Sequence, residues 1–447
     1  MIHNPKKPVS SAEHLQGHGH EPGNQDKIKI TFYDTFDWRL YNNSLMLFES
    51  DKKLYLNKFS DNESIYSIPI DSIPVFVNDY PECEFKDHLA PVIEMRALLK
   101  IVELEAGAEL KNIGDSFLKA MESANIRPGS YSTKIDISLA PDMRSDEALK
   151  TILRFLLSII KINVSQIERD LDTEFIHDFR VAVRRTRSAL GQIKHVFSSE
   201  ETARFKEDFS FLGKLSNEVR DLDVYLLKEG EYRSKLPAAL HDDIGPLFDY
   251  LHKLRNNVFK RLVQRLKSGK YKKIIRNWED FLSQPHQHNS DASNAGVAVF
   301  DLSRKIIHKK YKDVIKTGKK TLKAPDDLLL HALRIHCKNL RYLMEFFAGL
   351  FPEHKMSKGV KILKKLQDNL GEYNDLCVQI KYLLDISMQL PLTRKPNNKT
   401  LLAIGSLIST LESEKEISKN AFKEKFAQFS SEENRAFFSE LFSKEAQ

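Results

Sequence analysis

The sequence predicts a mainly α protein: a duplicated antiparallel helical bundle in two pseudo-symmetric halves, preceded by a small α+β domain. Three observations carry this. A long segment recurs at a constant offset of 154 residues. From Ser145 onward, apolar residues return with the helical period of about 3.6. Before about Leu139 the chain instead carries short β-prone runs divided by turn residues.

Taken in order, residues 1–25 are rich in Pro, Gly, Ser and His and poor in apolar side chains, the composition of a disordered tail. His14, His18 and His20 read as part of that polar tail rather than as a metal site. An α+β domain over 26–140 follows. Ile28–Tyr33 reads as a strand. Leu45–Glu49 and Lys53–Phe59 flank Ser50-Asp51-Lys52 as a hairpin. Leu98–Leu104 and Lys134–Leu139 read as further strands, and Glu109–Ala124 as a helix. Pro128-Gly129-Ser130 marks a turn and Ala140-Pro141-Asp142 the exit.

The helical domain occupies 141–445, with halves at about 145–283 and 296–445. Ser145-Asp-Glu-Ala opens it with acids in the favoured first turn. Helices are expected over 145–168, 174–196, 201–228, 237–268 and 270–283. A polar linker, Gln284 to Ala295, precedes helices over 297–316, 325–350, 356–389, 399–427 and 431–442. Pro352 and the Pro391–Pro396 stretch break the second half.

The totals exclude several classes. With 447 residues the chain can build two or three real cores. No stretch approaches the roughly 18 apolar residues of a membrane span, and the N-terminus has no apolar signal core. Cys83, Cys337 and Cys377 are scattered and form no CxxC, which fits a reducing compartment and supports neither a zinc site nor a disulfide frame. A cytoplasmic, cofactor-free protein is expected. The net charge of +7 is unevenly spread. Residues 1–139 hold 15 basic and 21 acidic side chains, net −6, and the remainder holds 54 and 41, net +13. The basic excess lies wholly in the duplicated part and points to an anionic partner.

The repeat centres on His177-Asp-Phe-Arg-Val-Ala-Val-Arg-Arg-Thr-Arg-Ser-Ala-Leu190. On a helix, His177, Arg180, Arg184 and Arg187 fall within an arc of roughly 80°. Phe179, Val183 and Leu190 fall on the neighbouring, core-facing arc. Cations along the edge of a buried face are partly desolvated and need carboxylates or an anionic ligand. Adding 154 maps His177 to His331, Arg180 to Arg334, Val181 to Ile335, Arg184 to Lys338 and Arg187 to Arg341. The register continues through Leu212 and Leu366, Glu218 and Glu372, Asp221-Leu222 and Asp375-Leu376, and Val224 and Val378. Two bundles related by a pseudo-two-fold axis would let the stripes face each other across a shared groove. Two more segments add charge: His252–Trp278 holds ten Lys/Arg and no acid, and Arg304–Lys323 holds nine with only Asp313. Solvated helix faces usually mix signs for i,i+4 pairing.

The doubled His-x-x-Arg pattern, with Val219-Arg-Asp-Leu-Asp223 and Leu370-Gly-Glu-Tyr-Asn-Asp375 after it, resembles the CHAD family, the "conserved histidine α-helical domain", over about 145–440. The resemblance implies two antiparallel helical bundles and a cationic groove that binds inorganic polyphosphate without catalysis, in proteins associated with polyphosphate granules. Upstream, Phe32-Tyr-Asp-Thr-Phe-Asp-Trp-Arg-Leu-Tyr41 resembles the Tyr-Asp-Thr signature of CYTH domains, the triphosphate tunnel enzymes often fused before a CHAD domain. The Glu-x-Glu-x-Lys motif of that family is missing. Glu103-x-Glu105 is followed by Ala-Gly, and the region is short for an eight-stranded tunnel. A degenerate, inactive CYTH-like domain is the implied reading.

Polyphosphate is a flexible chain of charge without bases, so its receptor needs dense cations and fork-shaped guanidinium donors. The candidate set is His177, Arg180, Arg184, Arg185 and Arg187 with His331, Arg334, Lys338 and Arg341, joined by Arg261, Arg265, Lys309 and Lys365. The two histidines read either as packed or capping residues or as N–H donors to phosphate. Asp221, Asp375, Asp223 and Glu345 read as carboxylates that pair with the arginines and hold their planes. No repeated constellation supplies the metal carboxylates or the nucleophile and base of a phosphohydrolase. Cys337 and Cys377 read as small core residues. Two rivals remain: a metal-dependent triphosphatase of the N-terminal domain, and a nucleic-acid scaffold. The second lacks interleaved aromatics, Tyr342 being the one candidate for stacking within the stripes.

Overall fold

The computed structural model describes residues 27–59, 64–69, 74, 84–93, 98–107, 113–124, 126–129, 131–285, 290–390 and 398–443. The expected tail and the Pro391–Pro396 break lie outside them. The chain forms two compact units, Met1–Ser132 and Thr133–Gln447.

The first unit holds β1 (Lys27–Thr35), a turn of helix α1 (Arg39–Asn42), β2 (Leu45–Ser50), β3 (Lys53–Lys58), β4 (Ser64–Pro69), α2 (Glu84–Ile93), β5 (Leu98–Gly107) and α3 (Ile113–Ser123). The strands make an antiparallel sheet in the order β4-β3-β2-β1-β5. Strand alternation divides its apolar side chains between two faces. Leu47, Leu54 and Leu56 cluster with Leu89 and Ile93 of α2. Ile30, Phe32, Met46 and Phe48 cluster with Phe117, Ala120 and Met121 of α3. The hairpin turns through Asp51 and Lys52, at φ 49° and 57°, the pair of positive φ angles that a two-residue loop between twisted strands requires.

Asp34 of the Tyr-Asp-Thr motif ties β1 to α1. Its carboxylate accepts the backbone N–H groups of Thr35 at 2.7 Å and of Leu40 and Tyr41 at 2.9 Å. Burial pushes this carboxyl up to about 6 despite those bonds. Two expectations change here. β4 and α2 appear where no element was assigned. Lys134–Leu139 is not a strand: among the described residues none pairs with it in a ladder, and Ile135 and Leu139 are instead buried.

The second unit is helical. Its first half holds α4 (Ser145–Ile167), α5 (Glu174–Gln192), α6 (Ser199–Leu215), α7 (Asn217–Leu227), α8 (Glu229–Ser234), α9 (Gly245–Leu266) and α10 (Gly269–Ser283). Its second half holds α11 (Val299–Lys323), α12 (Asp327–Phe346), α13 (Glu353–Ser387), α14 (Asn398–Phe429) and α15 (Glu432–Phe442). The starts of α4 and α11, and of α6 and α13, lie 154 residues apart, the repeat offset.

The expected helix over 201–228 is broken at Ser216, whose counterpart Leu370 lies inside continuous α13. Side-chain capping does not make this break: the buried Ser216 hydroxyl has no hydrogen-bond partner among the described residues, whereas Leu370 buries an apolar side chain. The helix expected from 237 begins at Gly245, after a short turn that follows Pro237. α5 stops at Gln192 because Ile193 leaves helical geometry and His195 takes φ 61°.

The halves meet about a local pseudo-two-fold axis. Ser145 donates its backbone N–H to the Val297 carbonyl at 3.0 Å, and Val299 donates to Met143 at 2.8 Å. Under the offset these are the same bond made twice. Arg144 and Ala298, equivalent to each other, face across an antiparallel bridge. Far along the chain the exchange recurs. Tyr225 stacks on Tyr382 with ring centroids 4.1 Å apart, and Lys228 donates to Gln379 at 3.1 Å. Tyr225 is the counterpart of Gln379, and Lys228 of Tyr382. Reciprocal contacts of this kind mark a two-fold interface.

Candidate functional site

The site is built on α5 and α12. On α5, Phe175, Phe179, Ala182, Val183, Ala189 and Leu190 are buried. On α12, Leu330, Leu333, Cys337, Leu340 and Met344 are buried. These stripes fix the rotation of both helices and so aim the charged edges. Asp326 anchors the start of α12, accepting the Leu329 N–H at 2.7 Å.

The two edges meet. An open depression of about 670 Å³ is lined by Arg184, Arg187 and Ser188 of α5, Lys206 and Glu207 of α6, and Arg334, Lys338 and Asn339 of α12. Across the seam Ser188 donates to the Asn339 side-chain oxygen at 3.4 Å. Five of the lining side chains are cations, and Glu207 is the one carboxylate among them.

The electrostatics are those of crowded, partly desolvated like charges. Burial first, and then the charges of Arg184, Arg334 and Arg180, push the Lys338 ammonium down to about 8, against the pull of Asp375. Burial lowers the Arg334 guanidinium, with Asp375 opposing and Arg184 adding to the shift. Burial lowers Arg180 as well, with Asp221 opposing and Arg184 and Arg220 adding. Both guanidinium groups stay charged. Arg184 and its counterpart Lys338 thus line one depression and share one field. Among the described residues, Arg184, Arg187 and Lys338 make no ion pair.

The carboxylates hold the surrounding arginines. Asp375 lies 3.3 Å from Arg334, and the equivalent Asp221 faces Arg180, whose other partner is the Asn217 side chain. Glu345 holds Arg185 at 2.8 Å and Arg341 at 2.7 Å. Arg185 also donates to the Thr133 carbonyl at 2.7 Å, so it is a clamp between segments and does not line the depression. Asp223 belongs to a separate buried pair with Arg255, at 2.9 Å, and Arg255 also binds Asp170.

The other candidates are dispersed. His331 is exposed, with Nδ1 2.9 Å from the Asn374 side-chain oxygen. His177 sits with Glu174 and Asp178, the ligand atoms of the three within 4.8 Å of one another. Arg220 already stands 3.6 Å from Glu174, and the repeat positions of the two acids are Leu328 and Ala332. That group reads as an ion network rather than a metal site. Arg261 pairs with Glu218 at 3.2 Å on the surface. Arg265 is exposed on α9. Lys309 and Lys365 line other depressions. Sequence reasoning missed Lys206 and Ser188, which enter through the packing of α6 and α12 against α5, a tertiary relation with no sequence motif. Tyr342 also lines the depression but is only 8 % exposed and packs on Phe346, so little of its ring is open to a base.

In the first unit, Glu103 is exposed and held by Lys29, at 2.9 Å, and Lys100. These lysines pull its carboxyl down to about 2. The Glu105 side chain lies outside the described residues.

A CHAD domain family model matches residues 151–384. No curated protein matches the chain. Two solved structures share the fold. The CHAD domain from the plant Ricinus communis is 24 % identical, with a TM-score of 0.55, over 65 % of this chain and 94 % of that one. PptA from Streptomyces chartreusis is 14 % identical, with a TM-score of 0.50, over 64 % of this chain and 99 % of that one. With the model spanning half of the sequence, and both repeats folded as matching helical halves, the chain belongs to the CHAD domain family.

Proposed function

We propose that this protein binds inorganic polyphosphate, without catalysis, in the depression between α5 and α12, and that this binding carries it to polyphosphate granules. One observation supports the reading above the rest: cations from both repeats converge where burial and mutual repulsion leave Lys338 depressed and its neighbours without enough carboxylate. A polyanion would relieve that repulsion at several points at once. Guanidinium groups supply paired donors that match phosphate oxygens. The lining is Arg, Lys, Ser, Gln and Asn around one Glu, with the exposed Ile335 and the edge of the largely buried Tyr342 as its apolar part. This suits a chain of phosphates better than a base-bearing strand, which needs aromatic platforms. It also suits capture better than hydrolysis, which needs paired carboxylates for metal or an activated nucleophile.

The test is reversal of the two exposed, unpaired cations, R184E/R187E. Calorimetry should show long-chain polyphosphate binding weakened by about tenfold or more, with an unchanged far-ultraviolet circular dichroism spectrum. Wild-type affinity in a folded R184E/R187E protein would reject the site.

A further inference from the structure

The basic surface does not end at the central depression. Five lysines of α11, Lys305, Lys309, Lys312, Lys316 and Lys319, recur at steps of four and three and so form one row along the helix. All five are exposed, and all five line a second open depression, of about 1050 Å³, that contains no carboxylate. Among the described residues none of the five has an ion pair. Over these residues α11 rises roughly 21 Å.

A row of like charges at i,i+4 destabilises a helix. The duplication shows that the fold does not need it. The counterparts on α4, which packs on α5 as α11 packs on α12, are Thr151, Phe155, Ser158, Ile162 and Ser165. One copy of the repeat alone carries the row. The row is also joined to the centre. Lys305 and Lys309 line a third depression together with Lys194 and Gln192, and Gln192 lines the central one as well.

We infer that the α11 row is a second segment of the polyphosphate site, a track that takes up the length of chain emerging from the centre and so makes binding selective for long chains. This inference rests on the polyphosphate reading of the central depression. The triphosphate ion, three phosphates long, would be held by the central cations alone.

Full-length wild type, K312E/K316E/K319E and R184E/R187E are titrated with long-chain polyphosphate and with tripolyphosphate. The α11 reversal should weaken the long chain by about tenfold or more and leave tripolyphosphate within about twofold. The central reversal should weaken both. A K312Q/K316Q/K319Q variant, with smaller losses in the same order, guards against a folding defect in the reversal. Long-chain affinity equal to wild type in the α11 variants overturns the track and leaves the central site standing. Loss of long-chain binding in the α11 variants, with none in the central one, instead overturns the central site and makes α11 the whole receptor. Equal losses for both ligands in the α11 variants would also overturn the track, since length would then play no part.

Discussion

Lys338 is the residue at which the charge arrangement can be read most directly. It stands where the first repeat has Arg184, and unlike an arginine it can lose its proton. Its folded pKa, about 8, lies below the ordinary lysine value of 10.5. The unfolded chain therefore binds more protons between those values, and stability rises with pH across that window. Ligand binding has the opposite sign, because a bound polyanion favours the protonated form. Affinity for polyphosphate should fall as pH rises from 7 to 9, with proton uptake on binding near pH 8. K338R should flatten that pH profile; the same slope in K338R as in wild type would assign the dependence to another group. The stripe, the offset and the carboxylate partners of the arginines are all visible in the sequence. The clamp made by Arg185 and Glu345 is visible only in part, because Arg185 has the same residue type as the lining arginines and differs by its place on the helix. Its side chain and that of Glu345 are 13 % and 19 % exposed. E345Q should therefore cost on the order of 1–3 kcal/mol, read as a lowered thermal midpoint.

At the scale of elements, the duplication governs where helices start, and local chemistry governs where they break. Periodicity finds α4, α5, α11 and α12, because each buries a regular apolar stripe, and places their starts within two residues; of their ends only that of α4 is found as closely, and α11 runs on to Lys323 where 316 was expected. It misses the break at Ser216 and the late start at Gly245. It misreads Lys134–Leu139, since alternation signals a strand only when a partner ladder exists, and partner availability is not local information. β4 and α2 were likewise set by the sheet and core they complete. Helix crossings add a further constraint. Gly318 on α11 lets Phe426 of α14, 1 % exposed, lie directly on the helix backbone. A β-carbon there would overlap the ring, so this buried ring would have to shift against its neighbours. G318A should lose about 1–3 kcal/mol through overpacking, measured by denaturant titration, while leaving ligand binding unchanged in the folded fraction. Unaltered stability in G318A would mean that the crossing relaxes freely.

For the molecule as a whole, the two-fold exchange of contacts from Met143–Val299 to Tyr225–Tyr382 places the basic edges of α5 and α12 in one depression. Neither half holds that site alone. The charge imbalance between the N-terminal part and the repeats pointed to an anion, and the offset pointed to a shared site. The lysine row on α11 stood out as a run without acids, but its continuity with the centre needed the fold. Membrane crossing is not available to the described helices, none of which is long and apolar enough. The most direct test of the central claim is a calorimetric titration of the full-length protein with long-chain polyphosphate and with duplex DNA, at about 0.15 M salt, where exposed charges are screened beyond roughly 8 Å. Polyphosphate should bind tightly and DNA more weakly, with an affinity that falls as salt rises. Equal affinity for the two polymers would contradict that claim and reduce the site to a generic cationic surface.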